Sequence, residues 1–167
     1  MIHTTVPLAD AVGKHISHFC PFELGTQDDL NHCAHLVSHL MGYEFGSTCK
    51  NRTWAEKQRP EKGATIRVNE IFNQCLDRGA WADRPAHLSS CLIFVTHKSN
   101  MDRPGHLLRM KDGSKKHIGI YVAGTVWHYS NSADKIVQDT EMGFMRTFER
   151  AYHLPGETVT FYYGAFL

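Results

Sequence analysis

Leu30, Cys33, Val37, Leu40 and Met41 recur at helical spacing and lay one apolar stripe along a segment that Asp28 or Asp29 can cap and Gly42 can end. The pattern predicts a helix with Cys33 in its first turns, on the core side. Val68, Ile71, Phe72, Cys75 and Leu76 form a second stripe within a helix expected over Thr65 to Arg78, with Gly79 as its stop. A short helix is expected over Val6 to Phe19. Thr53-Trp54-Ala55-Glu56 has capping-box spacing, and Pro60 ends that segment. After residue 90 the period changes. Cys91 to Thr96 is an apolar run suited to a buried strand, and Leu107 to Met110 is a further strand candidate. Asp112-Gly113 is a hairpin signal before a strand at His117 to Val122. Strands are also expected at Thr125 to Ser130, Lys135 to Val137 and Thr158 to Tyr163, with a helix over Glu141 to Tyr152. Helices first and a mostly antiparallel sheet afterwards predict an α+β fold.

The 167 residues fit one domain, 1–167, long enough to enclose a core without staples. A formal net charge of +1 removes the bulk electrostatic case for a nucleic acid or a membrane surface. No apolar run is long enough to span a bilayer. Met1 to Asp10 lacks a basic segment followed by an apolar stretch, so no secretory signal is read there. The five cysteines, Cys20, Cys33, Cys49, Cys75 and Cys91, are odd in number and hold no CxxC pair, which argues against a disulfide framework while leaving room for one bridge. Synthesis in a reducing cytosol follows, with most cysteines expected as small buried apolar residues.

Candidate chemistry centres on Cys33. A thiol attacks carbonyls as the thiolate, and the positive end of a helix or a nearby imidazolium favours that anion. Its partner histidine must come from another element, because neighbours within one turn point elsewhere. His117 opens an apolar strand after a turn, where it can reach a site mouth while Ile118 and Ile120 enter the core. A third polar group should orient the imidazole. His128 on the following strand can lie beside His117 if the two strands form a hairpin around Ala123-Gly124; Asn131 and Asp134 are further candidates.

The run Asn31-His32-Cys33-Ala34-His35-Leu36-Val37, followed by His117-Ile118-Gly119-Ile120-Tyr121-Val122 and Val126-Trp127-His128-Tyr129-Ser130, resembles the NlpC/P60 superfamily of papain-like cysteine peptidases. The likeness covers residues 28 to 138 as an order of elements. It implies a helix opened by the nucleophile and packed on an antiparallel sheet, with Cys33 as nucleophile, His117 as general base and acid, and His128 as orienter. Many members carry Asp-Cys-Ser-Gly where this chain has His32-Cys33-Ala34-His35. The run also resembles the lecithin:retinol acyltransferase-like branch, but that branch places histidine before cysteine, and here Cys33 comes first. The resemblance implies hydrolysis of amide bonds in peptidoglycan peptides, without a cofactor. Compact members without a signal peptide include amidase toxins delivered by secretion machines. The implied setting is therefore export to the periplasm or cell wall, with an immunity or inhibitor protein as a partner. Competing readings are a thiol-dependent acyltransferase, a non-catalytic binding module, and a metal-binding protein using His32, His35 and His39.

His35 and His39 lie four apart on one helical face, a metal-ligand spacing. With no H-E-x-x-H base and no evident carboxylate ligand, they are read as solvated or packing residues, and no metal site is assigned. Lys111, Lys115 and Lys116 are read as a solvated hairpin, with attraction of an acidic peptide as the sharper alternative. Trp54, Trp81 and Trp127 are expected in the core or a cleft wall, since no basic stripe accompanies them as in a base-stacking platform.

Overall fold

The computed structural model describes residues 2–167. Its elements run α1 (Leu8–Ala11), α2 (Cys33–Met41), α3 (Trp54–Lys57), α4 (Val68–Gln74), β1 (Arg78–Ala80), β2 (Ser90–His97), β3 (Met101–Asp102), β4 (Arg109–Met110), β5 (Lys116–Val122), β6 (Thr125–Ser130), β7 (Lys135–Thr140), α5 (Glu141–Ala151) and β8 (Val159–Gly164), with short 3-10 turns between. This is an α+β protein with mostly antiparallel strands. Among the described residues, no helix is long and apolar enough to cross a membrane. The chain clusters into two compact units. The first takes the residues up to Arg67 together with Trp127–Gln138, and the second takes Val68–Val126 with Asp139–Leu167.

In the first unit α2 is interior on nearly every side: Cys33 to Ser38 and Leu40 are all buried. Gly42 closes it in the left-handed region at φ 76, with its N–H on Ser38 O at 2.8 Å. The start is later than the acidic pair predicts. His32 is the N-cap, and Asp28 is instead engaged by His15 Nε2 at 2.6 Å. The expected helix over Val6 to Phe19 shrinks to α1 and a 3-10 turn at Ile16–His18. Gly13 turns the chain at φ 81, and residues 13–14 then exchange backbone bonds with Ile136 at 2.8 and 2.9 Å. This strand-like pairing consumes the amides a longer helix would need. Thr53 and Glu56 form the expected reciprocal capping box at α3.

The second unit is built on β1, β8, β2 and β5, paired antiparallel in that order. Val95 lies opposite both Phe161 and His117, and Leu92 opposite Gly164 and Ile120. Alternation sorts the side chains onto two faces. Cys91, Ile93, Val95, Tyr121 and Tyr163 share a core with Phe144 and Phe148 of α5. On the other face Phe72 of α4 meets Phe94 at 5.0 Å and Tyr162 at 5.9 Å between ring centroids. Gly164 makes the close approach of α4's end possible: a Cβ there would stand 2.6 Å from Cys75 Sγ.

The helix expected over Thr65 to Arg78 is trimmed at both ends to Val68–Gln74. Thr65 and Ile66 are held extended by backbone bonds to Tyr43 and Ser47, each 2.9 Å. At the far end the Arg78 guanidinium donates to Asn73 O and Cys75 O, at 2.9 and 2.6 Å, and satisfies carbonyls the helix leaves behind. Arg78 to Ala80 then form a strand where Gly79 was read as a stop, and Leu76, expected in the apolar stripe, is exposed. The Asp112-Gly113 hairpin is also absent, because β4 pairs with β3 rather than β5. Asn100 holds that loop instead, accepting from Gly113 N–H at 2.9 Å and donating to Lys111 O at 2.9 Å. Ala123 (φ 46) and Gly124 (φ 93) both take left-handed backbone conformations in the two-residue turn after β5.

Candidate functional site

Cys33 is the first residue of α2 and is 2% exposed. The turn before it is built from two asparagines. Asn31 Oδ1 accepts the Cys33 N–H at 2.9 Å, an Asx-type bond two residues on. Asn131, one residue past β6, accepts the His32 N–H through Oδ1 at 2.9 Å and donates through Nδ2 to Asn31 Oδ1 at 3.1 Å. The first intrahelical bond follows, from Leu36 N–H to His32 O at 2.9 Å. Two backbone donors ahead of the helix are thus satisfied by side chains, which leaves the first-turn amides of Ala34 and His35 as the ones helix geometry directs forward.

Of the predicted residues, Cys33 and His128 belong to the first unit and His117 to the second. His128 is 3% exposed on β6. His117 is 2% exposed on β5, and its ring stacks on Phe148 with centroids 4.2 Å apart and planes 26° apart; Phe144 lies at 6.0 Å. The aromatic cluster of α5 therefore fixes the plane of that imidazole. Asn131 is brought to the start of α2, while Asp134 sits in the turn after β6 at φ 49.

The histidines around Cys33 depart from expectation. His35 is fully buried rather than solvated, and His39 is half-buried. Together with Cys20 and Cys49 they form a cluster whose four ligand atoms all lie within 4.8 Å of one another. His35 Nε2 and His39 Nε2 are 3.2 Å apart, and Cys49 Sγ is 3.8 Å from His39 Nε2. His32 does not join the cluster. Its Nε2–H donates to Gln27 O at 2.8 Å, so its Nδ1 is the acceptor for His35 Nδ1–H at 3.1 Å.

Electrostatics in this cluster are strongly perturbed. The Cys49 thiol beside it, followed by His35 and His39 and opposed by burial, pulls the Cys20 thiol down to about 2. The same contact with Cys20, together with burial, pushes Cys49 up. The two shifts describe one arrangement, a sulfur pair sharing a single proton. Burial lowers His35 and keeps its imidazole neutral. The sequence signal for this cluster was the His35/His39 pair; Cys20 and Cys49, 15 and 10 residues from the nearer histidine, offered no spacing motif.

Other candidates resolve plainly. Lys116 pairs with Asp112 at 2.8 Å and donates to Gly113 O at 2.6 Å, so its charge is spent within its own loop. Trp54 is exposed, contrary to the expected core or cleft role. Trp81 stands edge-on to Tyr121 at 5.0 Å, and its Nε1–H donates to Glu141 Oε1 at 2.8 Å, which ties the second unit's sheet to the start of α5.

Comparison with protein-family models, with curated proteins and with solved structures returns no match.

Proposed function

We propose that the protein is a cysteine amidase or endopeptidase of NlpC/P60 type, cutting amide bonds in peptidoglycan peptides, with Cys33 as nucleophile. The observation that carries this reading is the position of Cys33 as the first residue of a buried nine-residue helix whose entry is braced by Asn31 and Asn131. A thiolate there is favoured by the helix's positive end. His117, at the head of β5 in the His-Ile-Gly-Ile-Tyr run, is the proposed base and acid. His128 is the proposed orienter, with Asn131 and Asp134 as alternatives for that role.

In the proposed cycle Cys33 Sγ attacks the carbonyl carbon, and the amide N–H groups of Ala34 and His35 receive the developing oxyanion. The C–N bond breaks as the amine leaves with a proton from the His117 imidazolium. Water, deprotonated by the same imidazole, then attacks the thioester and releases the acid and the thiol. An exported toxin restrained by an immunity protein is the biological setting this proposal carries over from the resemblance.

The test is digestion of purified wall fragments by wild type and Cys33→Ala, followed by mass spectrometry of the products. New free amine and carboxyl ends from wild type alone support the reading. Equal cleavage by both proteins overturns the nucleophile assignment, and no cleavage by folded wild type across wall types overturns the substrate class.

A further inference from the structure

We propose that Cys20, His35, His39 and Cys49 form a closed zinc site that holds the Cys33-bearing helix in place, a site separate from the proposed catalytic chemistry. Three chain segments converge on it. Cys20 follows the 3-10 turn at Ile16–His18, His35 and His39 stand one turn apart on α2, and Cys49 lies beside the isolated bridge of Thr48 to Thr65. Three of the four residues are buried, and the fourth is half-buried.

The spacing suits tetrahedral zinc. Zn–N bonds of about 2.0–2.1 Å and Zn–S bonds of about 2.3 Å put tetrahedral edges at about 3.4 Å for N···N, about 3.6 Å for N···S and about 3.8 Å for S···S. The two imidazole Nε2 atoms are 3.2 Å apart, and Cys49 Sγ is 3.8 Å from His39 Nε2. All remaining pairs fall within 4.8 Å, so small side-chain shifts close the set on one ion. Two thiols and two imidazoles are also the donor types that select zinc over hard cations.

The surroundings supply the outer contacts a ligated metal uses. Gln27 O fixes the His32 tautomer, His32 Nδ1 takes the His35 Nδ1–H, and the His35 Nε2 lone pair is thereby aimed into the cluster. The Ala64 N–H donates to Cys49 Sγ at 3.2 Å, a bond that stabilises sulfur as thiolate. This relay through His32 accounts for a fully buried histidine that the proposed catalytic chemistry does not use. Without a metal the His39 Nε2–H would donate to His35 Nε2, and a bound ion would replace that bond with two Zn–N bonds while engaging both sulfurs as well. With four protein ligands and no open position, the role is structural. The ion would cross-link the first and second turns of α2, through His35 and His39, to the segments on either side of it in sequence.

The experiment uses the full chain, expressed without a histidine tag and purified reduced. Elemental analysis should find about one zinc per chain, released when a mercurial titrates the thiols. Exchange of the metal for cobalt should give the intense visible bands of a tetrahedral ion and a thiolate-to-cobalt charge transfer. His39→Gln and Cys49→Ser should each drop the zinc content to near zero, whereas Cys33→Ala should keep it. The proposal is overturned if reduced, folded wild type binds neither zinc nor cobalt, if the cobalt spectrum lacks the charge-transfer band, or if Cys20 and Cys49 form a disulfide in protein folded with zinc present. Wall digestion is not a readout here, so the amidase reading and the zinc site fail independently.

Discussion

Replacing Asn131 by Ala should loosen the entry to α2 without touching the thiol. The substitution removes an acceptor for the His32 N–H at 2.9 Å and a donor to Asn31 Oδ1 at 3.1 Å. The first bond is partly buried and the second is exposed, so they do not count equally. A partly buried amide left without its acceptor costs about 1–2 kcal/mol, and the exposed bond about 0.5 kcal/mol or less. The expected loss is therefore about 1–2.5 kcal/mol, close to the upper range for removing a helix cap. Asn31→Ala should cost about 1 kcal/mol by freeing the Cys33 N–H. Because the two asparagines touch, the double variant should cost less than the sum, with a coupling of about 0.5 kcal/mol or more. Urea unfolding measures the totals, and amide hydrogen exchange across His32 to Leu36 localises them. If Asn131→Ala unfolds at the wild-type midpoint and leaves exchange at His32 unchanged, the brace is not a stabilising device. If it keeps full stability yet abolishes wall cleavage, Asn131 acts on the imidazole as the third catalytic group, and His128 loses that role.

Three further outcomes follow from the geometry. Gly164→Ala should destabilise by about 1–3 kcal/mol as an overpacking change, since its Cβ would meet Cys75 Sγ at 2.6 Å, and Cys75→Ala in the same chain should recover part of the loss; an additive double variant in thermal melts would refute the contact. Glu56→Ala should cost more than Thr53→Ala, about 1 kcal/mol for the latter, because Glu56 Oε1 also accepts the Glu23 N–H at 2.8 Å while Oε2 accepts that of Thr53 at 3.2 Å; equal unfolding midpoints would contradict this. Burial pushes the Cys75 and Cys91 thiols from 9.0 up to about 12, so the native state prefers them protonated. The stability this contributes is complete below pH 9 and is lost as pH rises from 9 toward 12. Melting temperatures should fall across that window and fall less in Cys75→Ala/Cys91→Ala; an unchanged alkaline slope in the double variant would exclude these thiols as the cause.

Elements with a strong local period were legible in the sequence. β2, β5, β6, α5 and β8 lie within a residue or two of their expected bounds, since apolar periodicity acts over a few residues. The α3 capping box was legible for the same reason. What failed depended on distant partners. The helix over Val6 to Phe19 lost to pairing with Ile136, and the hairpin at Asp112-Gly113 lost to Asn100, because a backbone amide goes to whichever acceptor the tertiary structure supplies. Asp28 looked like a cap and became the partner of His15. Around the candidate site, the helix and its end at Gly42 were legible from the apolar stripe, whereas its start at Cys33 lies later than the cap expected at Asp28 or Asp29. The brace from Asn131 was not, since it joins residues 99 and 100 apart. The Cys20 and Cys49 ligands were invisible for the same reason: a cluster assembled from three segments has no spacing to read.

The five cysteines then separate by environment in a way that bears on which one does chemistry. Cys75 and Cys91 sit in apolar packing that disfavours the thiolate, and a protonated thiol is a poor nucleophile. Cys20 and Cys49 face each other and two imidazoles, and the pair shares one proton, with the anion favoured on Cys20; in the proposed site a metal would hold both as thiolates. A thiolate locked to a closed zinc ion is withdrawn from attack on carbonyls. Of the five cysteines, Cys33 is the one that opens an α-helix, as the first residue of α2. The same nine-residue helix thus supplies two proposed roles. Its first residue carries the thiol, and His35 and His39, two and six residues further on, reach the cluster. A helix this short has little intrinsic stability. If both proposals hold, a cross-link through His35 and His39 would hold Cys33 in position, which predicts that stripping zinc lowers kcat more than it raises KM.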